Sequence, residues 1–239
     1  MRIVLRIRRY SPGEDAAPYD RDYPVDVQPT DRFLDALLAI QSGQDGSLSF
    51  RKSCGHGVCG SDAMVINGTE RLACRTLVQD VADGEDTVVT VAPLRHMPVQ
   101  RDLMVDQAAF FRKYRAVKPY LVNDTPVPAK ERVQSVQERA AFDDATACIL
   151  CGSCNSSCPV LDGDPGYIGP AALVQAARFL FDSRDRGLSE RLPVLDTPQG
   201  AWGCQNHFNC TRVCPREIKV TKNINAIKRT IEKAKGAHA

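Results

Sequence analysis

The sequence predicts an α+β chain of two domains. Three observations carry this: the first hundred residues hold short stretches alternating at period two, apolar residues beyond residue 104 recur at helical spacing, and the ten cysteines form groups of unlike spacing on either side of that change. The expected domains are 1–104, a small sheet with a helix, and 105–239, mainly α-helical.

Arg2 to Arg9 alternate apolar and charged residues, and Val88 to Ala92 form a second strand-like run. Between them one helix is expected, capped at Thr30, with Phe33, Leu34, Leu37, Leu38 and Ile40 on the stripe that packs across a sheet. Asn67-Gly68 suits a type I′ hairpin turn, which lets the loop before Ala63 and Cys74 after it converge. Sheet, helix and cysteine loop together suggest a β-grasp. From Leu103 a helix is expected through Ala108, Phe111 and Tyr114, followed by a segment punctuated by Pro119, Pro126 and Pro128. Pro170 fits the first position of a helix over Ala171 to Phe181, and Val220, Ile224, Ile227 and Ile231 mark another.

Composition narrows the function classes. With 239 residues, 43% hydrophobic and 25% charged, the chain has material for packed cores rather than disorder. A net charge of +2 gives no general footprint for nucleic acid. No apolar run of eighteen residues occurs, and Arg6 and Arg8 interrupt the apolar start, so a soluble chain that is not exported alone is expected. Ten cysteines without an export signal point to metal or redox duty rather than disulfides.

The first cysteine group is Cys54-x4-Cys59-x2-Asp62 followed by Cys74, the plant-type ferredoxin spacing with an aspartate in third place, and it predicts a 2Fe-2S cluster. Gly55, Gly57 and Gly60 let a short loop curl and aim backbone N–H groups at sulfur. Asp62 would be a harder ligand than a thiolate and would alter the charge and potential of its iron. The competing reading is a solvated loop aspartate.

The second group, Cys148-x2-Cys151-x2-Cys154-x3-Cys158-Pro159, is the bacterial ferredoxin run, whose fourth cysteine serves the other cluster of a pair. Its complement is Cys204-x5-Cys210-x3-Cys214-Pro215, with His207 where a second cysteine would stand. Crossed ligation gives Cys148, Cys151, Cys154 and Cys214 to a 4Fe-4S cluster and leaves Cys158, Cys204 and Cys210 for a 3Fe-4S cluster. All ten cysteines are then used. Zinc is the alternative, since C-x2-C pairs also build tetrahedral sites. No nucleotide fingerprint and no acid–base pair stands out, so no catalytic residue is expected and the chemistry is one-electron transfer.

At these motifs the chain resembles the iron-sulfur subunit of succinate dehydrogenase and fumarate reductase, the succinate:quinone oxidoreductases of respiratory complex II. FRKSCGHGVCGSDAMVINGTERLAC, PVQRDLMVD, KPYLVN, CILCGSCNSSCPV, YIGPAALVQAARFLFDSRD and NCTRVCPREI are similar to the family's segments in wording and order. The resemblance implies a β-grasp plant-type ferredoxin domain and an α-helical bacterial-ferredoxin-like domain. It implies an electron-transfer subunit linking a flavoprotein with covalent FAD to a membrane anchor and quinone, on the cytoplasmic or matrix-equivalent face; haem b in the anchor stays open. The relay would run from FAD to 2Fe-2S, 4Fe-4S, 3Fe-4S and quinone. An aspartate in the third 2Fe-2S position is a variation known in this family.

The quinone end departs from the pattern. Members that use ubiquinone tend to carry a Trp pair after the Cys-Pro, where this chain has Leu161, Asp162, Gly163 and Asp164; Trp202 is the only Trp, and Gln205 stands where many relatives have His. Menaquinone is therefore the expected acceptor. Pro159, Trp202, Gln205 and His207 are the quinone-proximal candidates. His207 suits a proton donor near neutral pH, or a loop residue that only excludes a fourth iron; Trp202 suits quinone contact or packing. Residues 215–239 hold seven basic residues against two acidic, a net of about +5, which fits anionic headgroups or the anchor, or an ordinary solvated helix face. Rival readings are the fumarate reductase direction, a related oxidase module, and a free multi-cluster ferredoxin.

Overall fold

The computed structural model describes residues 1–236; residues 237–239, the end of the basic segment, lie outside the described residues. Two compact units result, Met1–Gln107 with Ile149–Ser157, and Ala108–Cys148 with Cys158 onward. The break therefore falls after Gln107 instead of at residue 104, and Ile149–Ser157 returns to the first unit. Ser156 explains that return: its hydroxyl donates to the buried Glu70 carboxylate at 2.8 Å and accepts the Arg95 N–H at 2.9 Å.

In chain order the elements are β1 (Arg2–Arg9), β2 (Tyr19–Asp26), α1 (Phe33–Gly43), β3 (Ala63–Ile66), β4 (Thr69–Leu72), β5 (Thr87–Ala92), β6 (Val99–Arg101), β7 (Met104–Val105) and α2 (Ala108–Ala116). They continue as α3 (Val136–Ala140), α4 (Asp143–Thr146), α5 (Ser153–Ser156), α6 (Val160–Gly163), α7 (Pro170–Leu180), α8 (Leu188–Leu195), α9 (Asn209–Arg212) and α10 (Val220–Gly236).

The first unit is a five-stranded sheet in the order β2-β1-β5-β3-β4, with β1 and β5 parallel and the other pairs antiparallel. With α1 it forms a β-grasp. Alternation along β1 buries Ile3, Leu5 and Ile7 completely and carries Arg9 to the same inner face. A buried guanidinium needs partners: Arg9 donates to Asp102 at 2.9 Å, Asp45 at 2.6 Å and Ser47 at 2.9 Å, and also meets the Tyr23 hydroxyl. The edge strand β2 is registered on β1 by Arg6–Asp22 and Arg8–Asp20 pairs at 2.7 and 2.6 Å, opposite each other across the ladder.

Helix α1 buries Phe33, Leu34, Ala36, Leu37 and Ile40, while Leu38 of the expected stripe is only half-buried. It is not capped at Thr30, which is exposed. Its first N–H groups, of Phe33 and Leu34, instead donate to the carbonyls of Thr76 and Ala73 at 2.8 and 3.1 Å. Asp35 accepts from the Arg32 N–H at 3.2 Å. The helix thus starts where the segment around Cys74 can hold it.

Asn67 and Gly68 have φ of 47° and 75°, the left-handed pair that a type I′ turn between β3 and β4 requires. The expected helix from Leu103 is corrected: residues 99–105 form the β6–β7 hairpin, and α2 begins at Ala108. Asp102 takes φ 48° at that turn and its carboxylate also accepts the N–H groups of Tyr10 and Ser49, so tertiary hydrogen bonds override the helical pattern.

The second unit is helical. Pro170 opens α7, whose residues Pro170–Ala177 are buried on every side, as expected of a central core helix. Helix α10 packs its Val220, Ile224, Ile227 and Ile231 stripe against α7, and α2 and α4 cover other faces of α7. Among the described residues no helix is long and apolar enough to cross a membrane.

Candidate metal centres

The first site is a loop closed by the β3–β4 hairpin. Cys54 Sγ accepts the N–H groups of Cys59, Val58 and His56 at 3.3, 3.4 and 3.5 Å, and Cys59 Sγ accepts those of Cys54 and Ser61 at 3.5 Å. The N–H of His56, then those of Cys59 and Val58, bring the Cys54 thiol down to about 6. Cys74 is the opposite case: burial first, then the Asp62 carboxylate, pushes its thiol up to about 12. A thiolate at Cys74 therefore needs a cation beside it.

Gly57 and Gly60 take φ of 78° and 69° in this loop. A Cβ at Gly60 would stand 2.6 Å from Cys151 Cβ, and one at Gly57 would stand 2.7 Å from Arg75 Cδ. The Arg75 side chain can swing away, so Gly57→Ala is expected to cost mainly the left-handed strain, about 1–2 kcal/mol. The expected readout is a thermal midpoint lower by a few degrees and faster loss of the 2Fe-2S absorbance.

Asp62 is 3% exposed, which corrects the reading of it as a solvated loop residue. Its Oδ2 accepts the Cys74 N–H at 2.6 Å, whereas Oδ1 is buried without a hydrogen-bond partner. An orphaned, buried carboxylate oxygen is costly unless a cation reaches it. Cys54, Cys59, Asp62 and Cys74 thus fit an iron-sulfur cluster: two sulfurs held by N–H groups, a buried thiol, and a carboxylate oxygen in need of charge.

In the second unit Cys158, Cys204 and Cys210 line one cavity that opens to solvent. Burial pushes the thiols of Cys158 and Cys210 up, so here too thiolates require a metal. Three sulfurs around one cavity fit a three-cysteine cluster. The Lys228 ammonium donates to the Cys204 carbonyl at 2.8 Å and holds that cysteine's backbone from α10. Pro159, Gln205 and His207 share the cavity wall, and Gln205 and His207 face one another across 3.1 Å at its exposed rim. Trp202 is held by Asp196, which accepts its indole N–H at 2.7 Å, with Lys228 and Lys235 over its ring.

Of the residues read for the 4Fe-4S cluster, Cys151 and Cys154 belong to the first unit and Cys148 and Cys214 to the second. No disulfide joins any of the ten cysteines. Among the described residues no group of three or more His, Cys, Asp or Glu is set to hold a single metal ion.

Some site residues were not read from the sequence. Ser61 Oγ lies 3.1 Å from Cys59 Sγ, and Thr221 Oγ1 lies 3.6 Å from Cys210 Sγ. Ser61 sits inside the cysteine motif and could have been noticed there. Thr221 follows the last cysteine by seven residues and gives no local signal.

A β-grasp with a plant-type cysteine loop, followed along the chain by seven further cysteines of which five lie in the helical unit, defines a multi-cluster iron-sulfur protein of electron transfer. Residues 4–112 match a family described as 2Fe-2S iron-sulfur cluster binding domain, and residues 144–218 one described as 4Fe-4S dicluster domain. The chain is 42% identical to the succinate dehydrogenase iron-sulfur subunit of Coxiella burnetii, covering 95% of each. It is 41% identical to the fumarate reductase iron-sulfur subunit of Mycobacterium tuberculosis, covering 96% of this chain and 92% of that one. A solved structure of the Mycobacterium smegmatis Sdh1 complex in the apo form contains a chain that matches with a TM-score of 0.88 and 30% identity, over 98% of this chain and 97% of that one. The chain belongs to the family of iron-sulfur subunits of succinate dehydrogenase and fumarate reductase, and it is an electron-relay subunit of an oxidoreductase.

Proposed function

We propose that this subunit passes electrons taken from succinate, by way of the FAD of a partner flavoprotein, to quinone at a membrane anchor that holds it on the cytoplasmic or matrix-equivalent face. The support is that two unlike thiol sites, a glycine-cradled loop and a three-cysteine cavity, occur in one chain related over 95% of its length to succinate dehydrogenase subunits. In this reading Cys54, Cys59, Asp62 and Cys74 hold a 2Fe-2S cluster, Cys148, Cys151, Cys154 and Cys214 a 4Fe-4S cluster, and Cys158, Cys204 and Cys210 a 3Fe-4S cluster. When bound, the clusters supply one-electron carriers whose potentials follow from ligands, hydrogen bonds to sulfur and burial. The 144–218 region carries seven cysteines where two full four-cysteine runs need eight, which favours one three-iron cluster.

Asp62 as an iron ligand has its own test. Asp62→Cys exchanges a hard oxygen for a thiolate, so the 2Fe-2S EPR spectrum and potential should both move; an unchanged spectrum and potential would remove Asp62 from the ligand set. Menaquinone is the proposed acceptor, with Pro159, Trp202, Gln205 and His207 nearest it. His207→Ala should then slow menaquinol chemistry and leave electron transfer to a soluble dye intact. The near-equal likeness to a fumarate reductase subunit keeps the reverse direction as a second reading. Activity of the purified complex in both directions separates the two: succinate oxidation faster than fumarate reduction is the expected result.

A further inference from the structure

The sulfur of Cys210 has neighbours that no cysteine motif predicts. Thr221, in the first turn of α10, is 1% exposed, and its hydroxyl lies 3.6 Å from Cys210 Sγ. Thr211, next to Cys210 on α9, places its hydroxyl 3.1 Å from that of Thr221. The Thr211 oxygen also accepts the backbone N–H of Thr221 at 3.1 Å, a donor that the first turn of α10 leaves without an intrahelical partner.

A cysteine that binds metal is a thiolate and can only accept. The Thr221 hydroxyl, the nearer of the two donors, points its proton at Cys210; its oxygen then accepts the Thr211 proton, while Thr211 accepts from the Thr221 backbone. The two threonines thus form a short chain of donors that ends at sulfur. We propose that Thr221, oriented by Thr211, is a positioning residue that hydrogen-bonds the Cys210 sulfur and raises the reduction potential of the three-cysteine cluster. The direction follows from charge: reduction adds an electron to the cage, and a donor at sulfur stabilises the more negative state. This inference rests on the assignment of Cys158, Cys204 and Cys210 to a 3Fe-4S cluster.

The test is an EPR-monitored redox titration of the assembled complex bearing Thr221→Val, which keeps the shape and removes the hydroxyl. The 3Fe-4S signal should persist with a lowered midpoint potential, the equilibrium constant for reduction falling up to about tenfold, equivalent to 59 mV for one electron. Thr221→Ser should restore the wild-type potential, and Thr211→Val should shift it the same way by less. Should Thr221→Val fail to assemble, the Ser and Thr211→Val pair carries the test. An intact signal with an unmoved potential in both valine variants would overturn the hydrogen bond alone. A wild-type complex without a 3Fe-4S signal would remove the cluster assignment and this inference with it.

Discussion

Replacing Cys210 with alanine is expected to abolish the 3Fe-4S EPR signal and reduce quinone reduction to background, with the 2Fe-2S signal unchanged. Cys210 lines the cavity with Cys158 and Cys204, and a cage held by three thiolates has no spare protein ligand. Removing one leaves an iron open to water and the cluster prone to loss. The residues proposed for the 2Fe-2S cluster lie in the other unit and keep their own N–H and carboxylate partners, so their spectrum serves as the internal control. Cys158→Ala and Cys204→Ala should behave alike, because in the proposed assignment their thiolates serve the same cage. A variant that kept the 3Fe-4S signal after any one of these changes would exclude that cysteine as a ligand.

Replacing Arg191 with leucine is expected to destabilise the second unit by about 3–5 kcal/mol, the cost of leaving a buried charge without its partner. Arg191 is fully buried on α8 and pairs with the buried Asp185 at 2.7 Å. Its remaining N–H groups reach the carbonyls of Val117, Lys118 and Tyr120 at 2.7–3.3 Å, pinning the segment that follows α2. Asp185 in turn accepts the N–H groups of Val122 and Gly187. The effect should reach the cluster cavity, since α8 ends beside Asp196, which holds Trp202 two residues before Cys204. Chemical unfolding monitored by circular dichroism gives the stability, and the double variant Arg191→Leu with Asp185→Leu should recover part of the loss. A double variant as unstable as the sum of the two singles would show that the ion pair is not what couples them.

The sequence reveals the parts of this fold whose signal is local. The Arg2–Arg9 alternation, the Asn67-Gly68 turn and the Val220–Ile231 stripe each express a backbone period or a positive φ that few residues supply, and each element lies where it is expected. Strand β2 escapes such a reading because its outer half is exposed and polar, and it is held by pairing with β1. The β6–β7 hairpin escapes it because Asp102 is fixed by Arg9, Tyr10 and Ser49, residues more than fifty positions earlier. The start of α1 depends on carbonyls at Ala73 and Thr76, which no helix-capping rule contains. For the sites, cysteine spacing names the thiols, since a short loop must present them at set intervals. Spacing is silent on what tunes them: the burial of Asp62, the Thr221 hydroxyl and the Lys228 ammonium arrive from other elements.

Low-temperature EPR and Mössbauer spectra of the complex isolated under anaerobic conditions, with iron and acid-labile sulfide assayed on the same sample, test the central claim most directly. Three distinct spectra, of 2Fe-2S, 3Fe-4S and 4Fe-4S type, are the expected result. A colourless protein low in iron and sulfide, or a single type of cluster, would contradict the account.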